Sequence, residues 1–186
     1  MILKPLTIDK SWTLFLDRDG VINVKLEGDY VKKIEEFRFT ENAIEAIAKA
    51  RQLFSKIVVV TNQQGIAKGL YSVEDLNAVH AYMQAQLAKA NAQVDKIYFC
   101  PALNGDTRFN CRKPDIGMAL QAKNDFPEID FTKSIMVGDS ISDMEFGRKL
   151  GMYNVFITTE SWKVQKYHDL MDAHFTSLNQ FILSLN

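Results

Sequence analysis

Leu14-Phe15-Leu16-Asp17-Arg18-Asp19-Gly20-Val21-Ile22-Asn23 is the stretch on which the fold turns. An apolar run ends in two carboxylates one residue apart, and a glycine follows at once. A short apolar run closed by a turn signal is the pattern of a buried strand. In an open α/β sheet the carboxyl ends of the strands face the ligand crevice. Asp17 and Asp19 are therefore expected at the mouth of a site. Two acids held that close repel, and a bound cation or one raised pKa relieves the repulsion. Asp-Xaa-Asp-Gly is also an ordinary turn sequence. The rest of the chain has to separate a turn from a site.

Working outward, residues 13–17 form the first expected strand. Residues 24–40 are polar and aromatic without helical period, and are expected to form a flap or short hairpin over the strand ends. A helix follows over 41–54, with Ile44, Ile47, Ala48 and Arg51 on one stripe and Ala43, Ala46, Ala50 and Leu53 beside it. Lys56 to Asn62 is a β-branched run of strand length. Ser72 caps a long helix, with Asp75 three residues on and a stripe of Leu76, Val79, Met83, Leu87 and Ala90. Further strands are expected at 96–100, 134–139 and 153–158, and further helices at about 115–126, 141–151 and 177–185. A loop fills about 101–114. This alternation predicts an α/β fold, a Rossmann-like three-layer αβα sandwich with a mainly parallel sheet. Without linkers or repeats, residues 1–186 are expected to make a single domain.

Composition narrows the function classes. Hydrophobic residues make up 47% and charged residues 24%, an ordinary globular balance. The formal net charge of −1 gives no bulk attraction to nucleic acid or to a membrane surface. No apolar stretch approaches a membrane span, and Met1 to Trp12 has neither the apolar core nor the cleavage site of a signal peptide. A cytoplasmic protein is expected. Cys100 and Cys111 are too few for a disulfide framework. His80, His168 and His174 share no metal-like spacing and are expected on helix or loop surfaces.

Three strand ends carry polar residues suited to one task. The first offers Asp17 and Asp19. The second offers Thr61-Asn62-Gln63-Gln64-Gly65, a hydroxyl and successive N–H groups that can cradle an anion. The fourth offers Asp139, with Asp143 on the helix beyond. Cys111-Arg112-Lys113-Pro114 adds two cations beside a helix start. Carboxylates with hard oxygen donors suit Mg²⁺, which takes one or two carboxylates plus substrate phosphate oxygens. Acids, cation and phosphate cradle together describe phosphoryl transfer. Taken singly, Lys113 and Arg112 read as solvated side chains, Thr61 as a strand-end cap and Asp143 as a helix N-terminal acid. Only their coincidence at successive strand ends makes them a site.

In that order, Asp-Arg-Asp-Gly-Val-Ile-Asn, Thr-Asn-Gln-Gln-Gly-Ile-Ala-Lys-Gly, Cys-Arg-Lys-Pro and Gly-Asp-Ser-Ile-Ser-Asp-Met resemble the motifs of the haloacid dehalogenase superfamily. The nearer resemblance is to its branch of heptose bisphosphate and histidinol-phosphate phosphatases. It implies that Asp17 is a nucleophile forming an aspartyl-phosphate and that Asp19 is the general acid and base. It implies that Asp17, the Asp19 carbonyl and Asp139 hold Mg²⁺. Thr61 and Lys113 would stabilise the transferring phosphoryl group, Arg112 would recognise substrate, and Asn62, Gln63 and Gln64 would line the pocket. Asp143 would orient Lys113.

The chain departs from that branch in two places. Many of its members carry a zinc loop of Cys-Xaa-His and Cys-Xaa-Cys before the Arg-Lys-Pro. Here the corresponding residues are Cys100-Pro101-Ala102 and Phe109-Asn110-Cys111, so two of four ligands are missing. No zinc is expected; the cysteines read as packing residues or a remnant, with burial of Phe109 and Leu103 holding the loop. Neither Asp17–Thr61 nor Thr61–Lys113 has room for a separate cap domain, so an open site is expected. The function implied is removal of the C7 phosphate of heptose 1,7-bisphosphate, a small phosphorylated sugar, with histidinol phosphate as the alternative substrate. A non-catalytic module binding phosphorylated ligands is the alternative of another class, and Asp19 argues against it. A mutase would need a cap to exclude water.

Overall fold

The computed structural model describes residues 7–106 and 108–185. Six strands, β1 (Thr13–Leu16), β2 (Lys56–Asn62), β3 (Lys96–Cys100), β4 (Ser134–Gly138), β5 (Tyr153–Ile157) and β6 (Ala173–Phe175), form one sheet in the order β3-β2-β1-β4-β5-β6. Every pairing in it is parallel. The helices are α1 (Ala43–Leu53), α2 (Val73–Ala88), α3 (Gly117–Asp125), α4 (Ile141–Leu150), α5 (Ser161–Lys166) and α6 (Leu178–Leu183).

All four residues of β1 are buried, because helices cover both faces of a parallel sheet. Leu14 and Leu16 pack with side chains of α1, α2 and α6, whereas Phe15 packs with those of α3 and α4. The alternation of strand side chains thus divides the core into two apolar layers, and the expected three-layer sandwich is the observed one. From β1 the chain steps out to β2 and β3, then returns to place β4 on the other side of β1. This reversal opens a crevice at the carboxyl ends of β1 and β4. Asp17 follows the first and Asp139 the second, so the topology alone brings them together.

Local signals explain the element ends. Ser72 and Asp75 exchange hydrogen bonds in a capping box, Asp75 N to Ser72 Oγ at 3.1 Å and Ser72 N to Asp75 Oδ2 at 2.9 Å. Gly151 closes α4 in the left-handed region, with φ of 71°. Residues 24–40 contain a single 3-10 turn, Ile34–Glu36. The segment is pinned at its base where Val24 N donates to Arg38 O at 2.8 Å and Thr40 N to Ile22 O at 2.9 Å. Gly20 has φ of +85°, and a Cβ there would lie 2.3 Å from Asp139 Oδ2, so the turn and the close approach both require glycine.

Several expectations are corrected. α5 and β6 lie between the elements expected at 153–158 and 177–185, where the sequence reading assigns none; at six and three residues they are too short for their period to register. The buried face of α1 is Ala43, Ala46, Ile47 and Ala50, because small residues let the helix approach the sheet closely. α2 ends at Ala88, leaving Ala90 exposed. His174 is exposed, but on strand β6.

The cysteines are not simple packing residues: Cys100 and Cys111 form a disulfide with their Cα atoms 5.4 Å apart. Cys100 ends β3 in register with Asn62. Asn62 in turn binds the backbone of Lys113 from both sides, through Lys113 N to Oδ1 at 3.0 Å and Nδ2 to Lys113 O at 3.1 Å. That clamp brings residue 111 beside Cys100. Leu103 and Phe109 are 40% and 50% exposed, so their burial does not hold the loop. Among the described residues, no helix is long and apolar enough to cross a membrane.

Candidate active site

The crevice at the strand ends is a cleft of about 260 Å³. Asp17, Asp19, Thr61, Asn62, Gln64, Arg112, Lys113 and Asp139 all line it. These eight come from four separate segments, so their convergence is a property of the fold. Gln63 is the exception among the expected pocket residues. It is fully buried behind Asp19, where Nε2 donates to Asp19 Oδ2 at 3.0 Å and to Thr61 Oγ1 at 2.9 Å. The resemblance places it in the pocket lining; the turn after β2 directs its side chain inward instead.

Lys113 organises the acids. Its ammonium lies 3.0 Å from Asp17 Oδ1 and 2.5 Å from Asp143 Oδ1, and it donates to Val60 O at 2.6 Å. Burial alone would lower the Lys113 pKa, but Asp143 and Asp17 outweigh it and raise the pKa. Asp17 is pushed up to about 7 by burial, against Lys113 and reinforced by Asp143, Asp139 and Asp19. Burial and Asp143 likewise raise Asp139, against Lys25 and Lys113. Burial pushes Asp19 the same way, but Arg18 and hydrogen bonds from Asn23 and Gln63 hold it below the usual carboxylate range.

The donor set fits a divalent cation. Asp17, Asp139 and Asp143 each bring a carboxylate oxygen within 4.8 Å of the others. Asp139 Oδ1 is buried and accepts no hydrogen bond, an acceptor left for a ligand outside the chain. Asp143 is committed to Lys113 and to Ser140, whose N–H donates to Oδ2 at 3.0 Å. Asp17 and Asp139 are therefore the side chains with oxygens to offer, and hard oxygen donors in this number suit Mg²⁺.

Two groups escaped the sequence reading. Lys25, in an aperiodic segment with no signal to find it, reaches Asp139 Oδ2 at 2.6 Å. His80 is buried rather than on a surface, and its Nε2 faces Arg18 Nη1 at 3.1 Å. Its position was legible, since it falls one residue after Val79 and four after Leu76 on the buried stripe of α2. Burial and the Arg18 charge, against a smaller pull from Asp19, lower the His80 pKa from 6.5 to about 3. Between those values the unfolded chain takes up a proton that the folded chain refuses. His80 therefore costs no stability above pH 6.5, and stability is lost as pH falls from there toward 3. The expected slope is about 1.4 kcal/mol per pH unit. Denaturant melts of His80→Gln should show an acid limb flatter by one proton; an unchanged limb would contradict a neutral buried imidazole.

A family model described as polynucleotide kinase 3 phosphatase matches residues 14–181, which takes in every strand but the first residue of β1 and every residue lining the cleft. The chain belongs to this family. Two curated relatives resemble the chain over most of its length. A relative from Mycobacterium tuberculosis, named D-glycero-alpha-D-manno-heptose-1,7-bisphosphate 7-phosphatase, is 37% identical over 94% of this chain and 92% of its own. One of the same name from Campylobacter jejuni is 40% identical over 83% of this chain and 86% of its own. Among solved structures, D,D-heptose 1.7-bisphosphate phosphatase from B. bronchiseptica, complexed with magnesium and phosphate, superposes with a TM-score of 0.81. It is 28% identical and the match covers 94% of this chain and 97% of that one. The haloacid dehalogenase resemblance drawn from the four motifs therefore holds.

Proposed function

We propose that this chain is a Mg²⁺-dependent phosphomonoesterase that removes the C7 phosphate of D-glycero-D-manno-heptose 1,7-bisphosphate. The observation that carries the reading is Asp17, ion-paired to Lys113 beside the unpartnered Asp139 oxygen, with Asp19 across the same cleft. A carboxylate oxygen of Asp17 attacks phosphorus as the bond to the sugar oxygen breaks, and Asp19 gives that oxygen its proton. Water then attacks the phosphorus of the aspartyl-phosphate. Asp19 takes the water proton, the bond to Asp17 breaks, and inorganic phosphate leaves. Thr61 and Lys113 face the phosphoryl oxygens, where charge spreads during transfer. Mg²⁺ held by Asp17, Asp139 and the Asp19 carbonyl would supply further neutralisation of those oxygens.

Residues 1–186 are assigned to this one phosphatase domain, and the reaction to cytoplasmic synthesis of nucleotide-activated heptose. The names of the relatives support the heptose, and they include both α-named and β-named phosphatases at similar identity, so the assay decides the anomer. A zinc loop is not part of this reading, because the two thiols are paired with each other. Polynucleotide 3′ ends are disfavoured by a net charge of −1, which gives no bulk attraction to a phosphate backbone. Phosphate release with Mg²⁺ should be measured from both heptose bisphosphate anomers, histidinol phosphate, hexose phosphates and a 3′-phosphorylated oligonucleotide. Preference for one heptose bisphosphate anomer, lost on chelation, is expected. Preference for histidinol phosphate would keep the chemistry and overturn the substrate, while no release from any ester would favour a binding module.

A further inference from the structure

Asp19 is held more completely than a general acid exposed to a cleft needs to be for solubility or packing. Arg18 Nη2 lies 2.9 Å from both carboxylate oxygens, Asn23 Nδ2 donates to Oδ1 at 2.9 Å, and Gln63 Nε2 donates to Oδ2 at 3.0 Å. Two of these three donors are themselves fixed by residues that lie outside the cleft. The Tyr71 hydroxyl donates to Gln63 Oε1 at 2.5 Å. That bond decides which way the amide faces, since Gln63 must present NH₂ to Asp19 and Thr61 if its oxygen is engaged by Tyr71. The ring has room because residue 65 is glycine: a Cβ there would lie 2.2 Å from Tyr71 Cε1. On the other arm, Arg18 can only donate, so His80 Nε2 must accept and the ring proton must sit on Nδ1. Arg18 is fully buried, and His80 and Tyr71 are nearly so.

We propose that Tyr71 and His80 are positioning residues for the acid–base carboxyl of Asp19, acting through Gln63 and Arg18. The proposal rests on the phosphatase reading above. Proton transfer tolerates little misplacement, because the donor must come within hydrogen-bond reach of the leaving oxygen as the P–O bond breaks. With Tyr71→Phe the Gln63 amide is free to turn its oxygen toward Asp19, replacing an attraction by a repulsion. With His80→Leu the Arg18 fork loses the acceptor that sets its orientation. His80→Gln retains an acceptor and should behave nearly as wild type.

Leaving-group dependence separates positioning from general damage. An alkoxide leaving from heptose bisphosphate needs the Asp19 proton, whereas 2,4-dinitrophenolate does not. kcat/KM reports events through phosphoryl transfer to Asp17 and excludes the later hydrolysis. The quantity to measure is the ratio of kcat/KM on heptose 1,7-bisphosphate to that on 2,4-dinitrophenyl phosphate. Asp19→Asn calibrates the full effect. Tyr71→Phe and His80→Leu should lower the ratio about tenfold, and His80→Gln by less than about twofold. Equal losses on both esters, or a ratio unchanged in both variants while Asp19→Asn lowers it, would overturn the proposal. A ratio that Asp19→Asn itself leaves unchanged would instead overturn the acid–base assignment on which the proposal stands.

Discussion

Asp17→Asn should release phosphate on the order of 10⁴-fold more slowly than the wild-type chain, or slower still. An amide nitrogen or oxygen is a poor nucleophile toward phosphorus, and removing the charge also removes one of the two side-chain oxygens offered to a cation. The variant should fold. Asn is isosteric, and its Oδ1 can still accept from Arg18 N, as Asp17 Oδ1 does at 2.8 Å. Lys113 keeps Asp143 at 2.5 Å. The stability comparison has a definite sign. Because the Asp17 pKa rises from 3.8 to about 7 on folding, its stabilising contribution is complete below 3.8 and lost as pH rises through 7. Asn carries no such term, so the variant should gain on the metal-free wild type in melts taken above pH 7. Acid-quenched wild type should carry a phosphoryl adduct that the variant lacks. A folded Asp17→Asn protein retaining more than about a hundredth of the activity would remove Asp17 from the nucleophile role.

The strand ends were legible because each carries its signal locally. Asp17, Thr61 and Asp139 follow apolar runs, and a parallel sheet places the ends of such runs at one edge whatever the intervening helices do. The reversal of strand order between β1 and β4 then decides which ends meet. What escaped was non-local. Nothing in residues 24–40 predicts that Lys25 reaches Asp139, because the segment has no period and its path is set by a few backbone bonds at its base. The pairing of Cys100 with Cys111 depends on the Asn62 clamp on Lys113, fifty-one positions away in sequence, and no cysteine count contains that. Gly65 has a further role that the sequence does not show: its lack of a side chain admits the Tyr71 ring. Gln63 lies on the expected turn, but its side chain faces the interior behind Asp19 rather than the cleft.

Lys113→Met should damage stability and turnover together, and Mg²⁺ should repair only the first. The ammonium is 1% exposed and sits between Asp17 and Asp143, themselves 12% and 0% exposed at the side chain. Truncating one member of a buried ion pair leaves an uncompensated charge and costs about 3–5 kcal/mol. For a chain of this length that is a fall in Tm of about 10 °C. The acids can escape part of the cost by taking up protons. Loss of Lys113 removes the attraction that opposes the rise of Asp17, so its folded pKa should climb further above 3.8. A raised carboxyl pKa contributes stability at low pH that disappears as pH rises. The deficit against wild type should therefore be small near pH 5 and widest near pH 8, roughly one to two units either side of the wild-type value. A divalent cation restores positive charge among the same carboxylates, so Mg²⁺ should recover much of the lost Tm. Turnover should stay about 10²- to 10³-fold low even with saturating Mg²⁺, because the cation does not replace a donor aimed at the transferring phosphoryl oxygens. Thermal melts across pH with and without Mg²⁺, set beside phosphate release, test both halves. A variant as stable as wild type at pH 8 without metal would mean that Lys113 does not neutralise the acidic cluster. Full turnover in a folded Lys113→Met protein would mean that the phosphoryl group is stabilised from elsewhere in the cleft.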